Sequence, residues 1–347
     1  MRPRARSFDT GTHRAALTGS MRAKLWPRTT RGGRLAVSLA AGLFALGGLT
    51  VIAPGLSELW PWFDLAALVQ RPAAFAGLAG AAGLVWALRS WALRGLALFA
   101  AIALCFAIPL RGTLPERCPA GAGTLRIAWI NAQGARHPEQ IVDWIAAEKP
   151  QIVGFAEVRR VPPPLAAYLL VHLPYTQNCL GNGHCSTALY ARERPVGARA
   201  LARGDPENRK TLSGAALEYA RMGGGGQGRI AAVHLSRPTS AAQQARELQQ
   251  LESRMPIDAD TVVVGDFNLS VRMTLLTRFA ERHRLSLVLA DRPTWPTVWR
   301  GRRVGGLWQI DQLLLGRNWR AKSMRASPFL GSDHRGFVAD LCHISAM

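Results

Sequence analysis

Leu35–Ala53 is a run of nineteen residues without one charged side chain, and few structures can house it. As a helix it would reach roughly 28 Å, about the hydrocarbon thickness of a bilayer, where a backbone must satisfy its own hydrogen bonds. Residues 1–34 ahead of it carry nine Lys or Arg against one acid, with little apolar periodicity. That composition predicts a basic, disordered head, with Met21 as an alternative start. Two further apolar segments, about 72–88 and 95–110, are short and flanked by arginines able to snorkel. The three together predict a membrane module over 35–110 with helices at about 35–53, 72–88 and 95–110. A signal peptide is the competing reading of the first run, but no small-residue cleavage site stands out.

Charge asymmetry orients such a module. The basic head belongs in the cytoplasm. The first loop, Pro54–Arg71, holds Glu58 and Asp64 against one arginine, with Trp60 and Trp62 placed as an interfacial belt. The second connection, Arg89–Arg94, has two arginines and no acid. Three crossings then place everything after Leu110 outside the cytoplasmic membrane; a re-entrant pair is the alternative for the second and third segments, which are short and closely joined.

Cysteine usage agrees. Of five cysteines, Cys105 lies in an apolar run as a small hydrophobe. Cys118, Cys179, Cys185 and Cys342 lack the close paired spacing of a zinc site, so in an oxidising compartment disulfides are expected. Cys179–Cys185 would close a short loop and Cys118–Cys342 would tie the two ends of a domain; four unpaired thiols are the alternative.

Residues 111–123 read as a linker, and at Thr124 the character changes. Strands are predicted at Leu125–Asn131, Ile152–Glu157, Thr187–Ala191, Leu212–Tyr219, Arg229–Leu235, Thr261–Asp266, Ile310–Leu315 and Gly336–Leu341. Helices are predicted at Pro138–Glu148, Ser240–Glu252 and around Met273–Arg284, and Gly223–Gly226 reads as a hairpin turn. Hairpin-like strands among βα units imply an α/β domain over 124–347 with mixed sheets. It holds 29 Lys or Arg against 18 acids. A surface of that sign suits nucleic acid, phospholipid headgroups or pyrophosphates alike.

Polar residues recur where these strands end or begin. Asn131 ends the first, Glu157 the second, and His234 lies near the end of A-A-V-H-L. Asp266 and Asn268 close T-V-V-V-G-D-F-N, Asp311 opens I-D-Q-L-L-L, and Asp333 with His334 precede the last strand. One polar strand end is ordinary. A carboxylate such as Glu157 in apolar sequence wants a metal or another cation. Oxygen donors without clustered Cys or His suit Mg²⁺ or Mn²⁺ rather than zinc. His334 beside an acid, with a second acid upstream, supplies an oriented imidazole for proton transfer or for phosphoryl charge.

The order of these motifs resembles the endonuclease/exonuclease/phosphatase superfamily from about Thr124 to the C-terminus. Gly265–Asn268 and Ser332–His334 carry the likeness, supported by Glu157, His234 and Asp311 in order. The resemblance implies a four-layer α/β/β/α sandwich of two mixed sheets, here preceded by three transmembrane helices. It implies that Glu157 binds the catalytic metal with Asn131 beside it and Asp333 on the metal side. Asp266 would activate or orient the nucleophile, and Asn268 and His234 would bind phosphate. His334 would be the general acid/base or transition-state stabiliser, oriented by Asp311. The sequence departs from the family pattern at Ala156, where Gln is common, at Gln133, where a second Asn is common, and at Gln312, where an aromatic or His is usual. Its layout is similar to that of the membrane-bound bacterial subgroup that includes VanJ-type proteins.

The expected protein is a Mg²⁺-dependent phosphohydrolase in the cytoplasmic membrane, acting outside it on a phosphoester or lipid-linked pyrophosphate. A nuclease acting on DNA or RNA and a phospholipase C-like or sphingomyelinase-like phosphodiesterase use the same residues. A non-catalytic scaffold fits them least, and no protein partner is inferable. Trp295, Trp299 and Trp308 with Arg300, Arg302 and Arg303 would form either a loop dipping into the membrane interface or core residues beside a solvated face.

Overall fold

The computed structural model describes residues 31–57, 59–87, 93–94, 97–98, 101, 112–158, 160–179, 185–202, 212–222, 226–237 and 241–344. They divide into two compact units. One comprises Met1–Pro54 with Val69–Pro109, the other Gly55–Leu68 with Leu110–Met347.

In the first unit, helix α1 (Arg31–Ile52) contains Leu35–Ile52, with mean hydropathy 2.2, long and apolar enough to cross a membrane. The second expected span begins earlier than the sequence suggests, as helix α2 (Ala66–Ala87) with Pro72 inside it, whose first three residues belong to the other unit. Trp62–Gln70 and Pro72–Ala87 meet at a 68° bend. Proline lacks the N–H for the helical ladder and its ring crowds the preceding turn, so the bend has a local cause. The expected third span at 95–110 falls almost entirely outside the described residues. Among the described residues, three spans are therefore not supported: one helix has spanning length, and there is a second only if the bent pair counts as one broken span.

The second unit is built on two mixed sheets. The first has the order β13-β14-β1-β2-β4-β3, from β1 (Thr124–Asn131), β2 (Ile152–Ala156), β3 (Tyr175–Asn178), β4 (Ala188–Ala191), β13 (Trp319–Ala326) and β14 (Phe337–His343). The second has the order β5-β6-β7-β8-β12-β9, from β5 (Gly197–Ala202), β6 (Ser213–Tyr219), β7 (Gly228–His234), β8 (Thr261–Asp266), β9 (Ser286–Leu287) and β12 (Asp311–Leu315). Helices α3 (Pro138–Glu148) and α4 (Pro163–His172) follow β1 and β2. Helices α5 (Ala241–Arg254) and α6 (Thr274–Arg282) follow β7 and β8.

The alternation of strand side chains assigns them to layers. Val262 and Val264 of β8 enter the core between the sheets, with Ile127 and Trp129 of β1. Val263 points the other way, into the cluster with Leu248 of α5 and Leu276 of α6. Ala128 and Ile130 likewise join Ile141 and Leu165 under α3 and α4. Strands covered on both faces read as continuous apolar runs, which is why T-V-V-V shows no polar alternation. Each buried valine, leucine or isoleucine among them contributes about 1.5–3 kcal/mol by leaving water. The α/β/β/α sandwich is thereby present.

The predicted strands and helices form, and β6 pairs antiparallel with β7 across the expected hairpin, whose residues 223–225 lie outside the described ones. The sequence reading missed α4, β3, β5, β9, β13 and the small hairpin of β10 (Val298–Trp299) and β11 (Arg302–Arg303). β13 is an edge strand whose charged residues alternate with buried Trp319, Ala321 and Met324. Lysine and arginine on an edge mask the strand signal while they discourage edge-to-edge pairing.

Two segments outside the sheets complete this unit. Thr113 bridges to Val288 and its N–H donates to the Leu287 carbonyl at 2.6 Å, while Glu116 N–H donates to Ala321 O at 2.7 Å. Cys118 is disulfide-bonded to Cys342, and Cys179 to Cys185. Gly55–Leu68 forms a strap: Ala67 is buried in the helix-side core, with Leu65 and Leu68 against it. Buried Asp64 accepts the backbone N–H groups of Thr274 and Leu275 at 2.6 and 2.9 Å, capping the start of α6.

Candidate active site

Strand register gathers the acids. β7 runs parallel to β8 with His234 opposite Asp266, and β12 runs antiparallel to β8 with Asp311 opposite Asp266. In the other sheet β1 runs parallel to β2 with Asn131 opposite Ala156, so Glu157 emerges one residue further on. Gly265 sits where any Cβ would run into the Val233 carbonyl. Only glycine lets β8 lie this close to β7 just before Asp266.

Asn131 joins the two sheets. Its Nδ2 donates to Glu157 Oε1 at 3.2 Å and to Asp266 Oδ2 at 2.9 Å, and its Oδ1 accepts Gln133 N–H at 3.1 Å. His234 Nε2 lies 3.8 Å from Glu157 Oε1 and 3.6 Å from Asp266 Oδ2. Glu157, Asn268 and Gln133 have left-handed φ values of 58°, 50° and 42°. Such conformations cost about 1–3 kcal/mol each in a non-glycine residue and concentrate at functional sites.

Asp266 is 1% exposed. Burial pushes its carboxyl up from the usual aspartate range; Asp311 adds to this, and His334, His234 and Asn131 oppose it without reversing it. Its Oδ1 accepts Asn268 N–H at 2.9 Å. The Asn268 amide donates to Leu235 O at 2.9 Å, which fixes the side chain at the mouth of the strand end.

His334 completes the centre. Its Nδ1 pairs with Asp311 Oδ2 at 2.8 Å, and its Nε2 lies 3.8 Å from Asp266 Oδ2 and 4.0 Å from Asp333 Oδ1. Burial disfavours the imidazolium, but the charges of Asp311 and Asp266, the hydrogen bond to Asp311 and the charge of Asp333 outweigh it and hold the pKa at about 10. Asp311 is itself fixed: Trp129 Nε1 donates to its Oδ1 at 2.9 Å, and Thr294 Oγ1 accepts its backbone N–H at 3.1 Å. Asp333 Oδ2 accepts from Trp295 Nε1 at 3.4 Å.

All eight candidate residues thus lie at the same end of the sandwich. Among the described residues two groups could hold a cation, Glu157 with His234 and Asp266, and Asp266 with Asp311 and His334. Asp333 is in neither. Sequence reasoning gave no role to Trp129, Thr294 or the Ser332 hydroxyl, which donates to Asn131 O at 2.7 Å and accepts His334 N–H at 3.1 Å. A buried Trp in an apolar strand looks like core, and only its indole N–H betrays a polar task. Gln312 proves structural: fully buried, it donates to Leu269 O at 2.7 Å and Gln309 O at 2.8 Å, bracing the loop after Asn268.

Residues 128–334 match the Endonuclease/Exonuclease/phosphatase family. The chain belongs to this family. It is therefore a hydrolase acting on phosphoesters, of a family that in general depends on a divalent metal. Among solved structures it is similar to the endonuclease/exonuclease/phosphatase from Beutenbergia cavernae DSM 12333, at 20% identity and TM-score 0.50, covering 64% of this chain and 72% of that one. It is also similar to D. rerio TDP2 complexed with a single strand DNA product, at 15% identity and TM-score 0.47, covering 63% and 98%. A third is the human Nocturnin catalytic domain with bound sulfate anion, at 16% identity and TM-score 0.46, covering 64% and 94%. At these identities the likeness concerns the fold. No curated protein matches the chain.

The donor set fits the family's metal. Two carboxylate oxygens, from Glu157 and Asp266, are gathered on one amide group, an arrangement of like charges that a divalent cation would relieve. Hard oxygen donors favour Mg²⁺ or Mn²⁺. The Glu157 side chain is 35% exposed, which leaves it an open side.

Proposed function

We propose that this protein is a membrane-anchored, Mg²⁺-dependent phosphohydrolase acting outside the cytoplasmic membrane on a phosphoester or lipid-linked pyrophosphate. The observation that carries the chemistry is Asp266, held between Asn131, His234 and His334 and flanked by a charge-fixed His334–Asp311 pair. Helix α1, with its apolar Leu35–Ile52, and the two disulfides of the other unit support the anchor and the extracytoplasmic side. Kinship with the VanJ-type subgroup belongs to the same reading and rests on the apolar helix α1 ahead of the domain.

Glu157 would hold the metal with Asn131 beside it, Asp333 would stand on the metal side next to His334, and Mn²⁺ would substitute. When bound, the metal supplies Lewis-acid charge to the phosphoryl group. The protein's own groups do the rest. Asp266, held in place by the Asn131 amide and the Asn268 N–H, accepts the proton of the attacking water. His334, kept cationic by Asp311, donates to the oxygen on which charge develops. His234 and Asn268 orient the phosphoryl oxygens, in line with the water and leaving group.

The second reading is a nuclease, favoured by the exposed arginines Arg300, Arg302 and Arg303 of the hairpin. The strap belongs to the same compact unit as the site, so the assay uses the full-length protein in detergent. It is offered undecaprenyl pyrophosphate, a phospholipid and plasmid DNA, each with Mg²⁺ and then EDTA. Metal-dependent phosphate release from the polyprenyl substrate without nicking is the expected result. Nicking alone would replace this reading with the nuclease, headgroup release with a phospholipase C-like enzyme, and metal binding without turnover with a scaffold.

A further inference from the structure

Two apolar projections of the catalytic unit remain without a task. The first is the strap, where Leu59 is 80% exposed and Trp60 56%, with Trp62 also exposed. The second is the β10–β11 hairpin, where Trp299 is 57% exposed and Leu307 is exposed beyond its base. Both are held firmly rather than loosely. Asp64 and Ala67 pin the strap to α6 and the helix-side core. The hairpin stands on the Trp295–Trp308 bridge, whose rings stack at 5.5 Å. The two projections are joined at their bases, since Trp308 Nε1 donates to the Leu68 carbonyl of the strap. The same base reaches the site, through Trp295 Nε1 to Asp333 and a ring separation of 6.5 Å from His334.

We propose that Leu59, Trp60, Trp62 and Trp299 form a rim that docks into the surface of an anionic phospholipid bilayer beside the active site. Two observations choose this occupant. Trp60 follows the end of the apolar helix α1 at Ile52 by only eight residues, so once α1 spans a bilayer this strap is confined to its surface. The hairpin segment between Asp291 and Asp311 holds four arginines and no acid. Of these, Arg300, Arg302 and Arg303 are exposed around Trp299. Exposed tryptophan flanked by arginine suits the headgroup layer, where the ring sits amphipathically and the guanidinium meets lipid phosphate. The strap's own acids are Glu58 and the buried, engaged Asp64. A docked rim would present the mouth of the site to headgroups without the substrate leaving the bilayer.

This rests on the membrane-anchored reading, and the test separates the two. The full-length protein carrying Cys105→Ala is given one labelling cysteine, Trp62→Cys, Trp299→Cys or, as a control, Arg317→Cys in the exposed turn after β12. Each is labelled with a polarity-sensitive fluorophore and reconstituted into phosphatidylcholine vesicles with and without phosphatidylglycerol. Labels at 62 and 299 are expected to shift to the blue and to be quenched by lipids brominated near the headgroup, while 317 stays aqueous. The triple variant Arg300→Glu, Arg302→Glu, Arg303→Glu should abolish the dependence on phosphatidylglycerol at 299. Aqueous emission at both 62 and 299 overturns the proposal. So does a blue shift that follows protein density rather than anionic lipid, which would assign the rim to a second copy of the chain. Alkaline carbonate extraction and hydrolysis of a soluble phosphodiester are scored in parallel. Release by carbonate sinks the anchor itself, whereas retention and hydrolysis with aqueous labels sink only the docking.

Discussion

The indole N–H of Trp129 donates to Asp311 Oδ1 at 2.9 Å, while the other oxygen of the same carboxylate holds His334 Nδ1 at 2.8 Å. The imidazole is therefore aimed from the middle of the inter-sheet core. Trp129→Phe keeps the ring in the core but leaves a buried carboxylate oxygen without its donor, costing about 1–3 kcal/mol. Chemical denaturation should show that loss, and kinetics should show a lower kcat with KM little changed. A changed KM with unchanged kcat would place Trp129 in packing alone.

His334→Ala and Asp266→Ala should each abolish turnover, a loss of at least about 10²-fold for a proton-transfer group, with the sandwich still folded. Circular dichroism and a cooperative melt check the fold, and phosphate release checks the chemistry. Wild-type-like activity in either variant would remove that residue from the mechanism.

Glu157→Gln keeps the size of the side chain and removes its charge. Calorimetric titration with Mn²⁺ should then show binding weakened tenfold or more, and activity should be recoverable only at high metal. Unaltered binding would move the metal to the other acids.

The pKa of His334 is raised to about 10 from its ordinary value of 6.5. In metal-free protein its ion pairs therefore stabilise the fold fully below about pH 6.5, and that stability is lost as pH rises through about 10. Melting in EDTA across this window should fall more steeply for the wild type than for His334→Gln. Parallel profiles would show that His334 is not held as the cation.

The Cys118–Cys342 bridge ties the segment before β1 to the last strand, across a sequence separation of 224. Cys118→Ala should lower stability by about 2–5 kcal/mol, as loss of a native bridge does in small secreted domains. Thiol titration of the unfolded, unreduced wild type should find Cys105 alone; further reactive thiols would mean that the bridges are absent.

How legible was the site? Asn131, Glu157, His234, Asp266 and Asp311 lie at ends of apolar strands, and strand ends are countable from periodicity. Trp129, Thr294 and Ser332 were not legible, because a buried tryptophan or a loop hydroxyl has no pattern until its acceptor is in place. The second membrane segment is not legible in the same way: hydropathy marks apolar length, but it does not register that Pro72 bends a helix starting at Ala66. The sequence marks the strap as an exposed interfacial loop, and the signal that it also caps α6, a lone Asp64, is indistinguishable from a solvated acid.

The sequence by itself determined the alternation of buried strands and helices and the apolar helix before them. It also determined the chemical types available at the strand ends, because these depend on neighbours a few residues apart. Only the tertiary structure decided that Asn131 would span two sheets, that Asp311 would face Asp266 across β12 and β8, and that Leu68 would meet Trp308. Such contacts join residues up to 240 positions apart, and their register is set by the packing of two sheets, which no local pattern encodes.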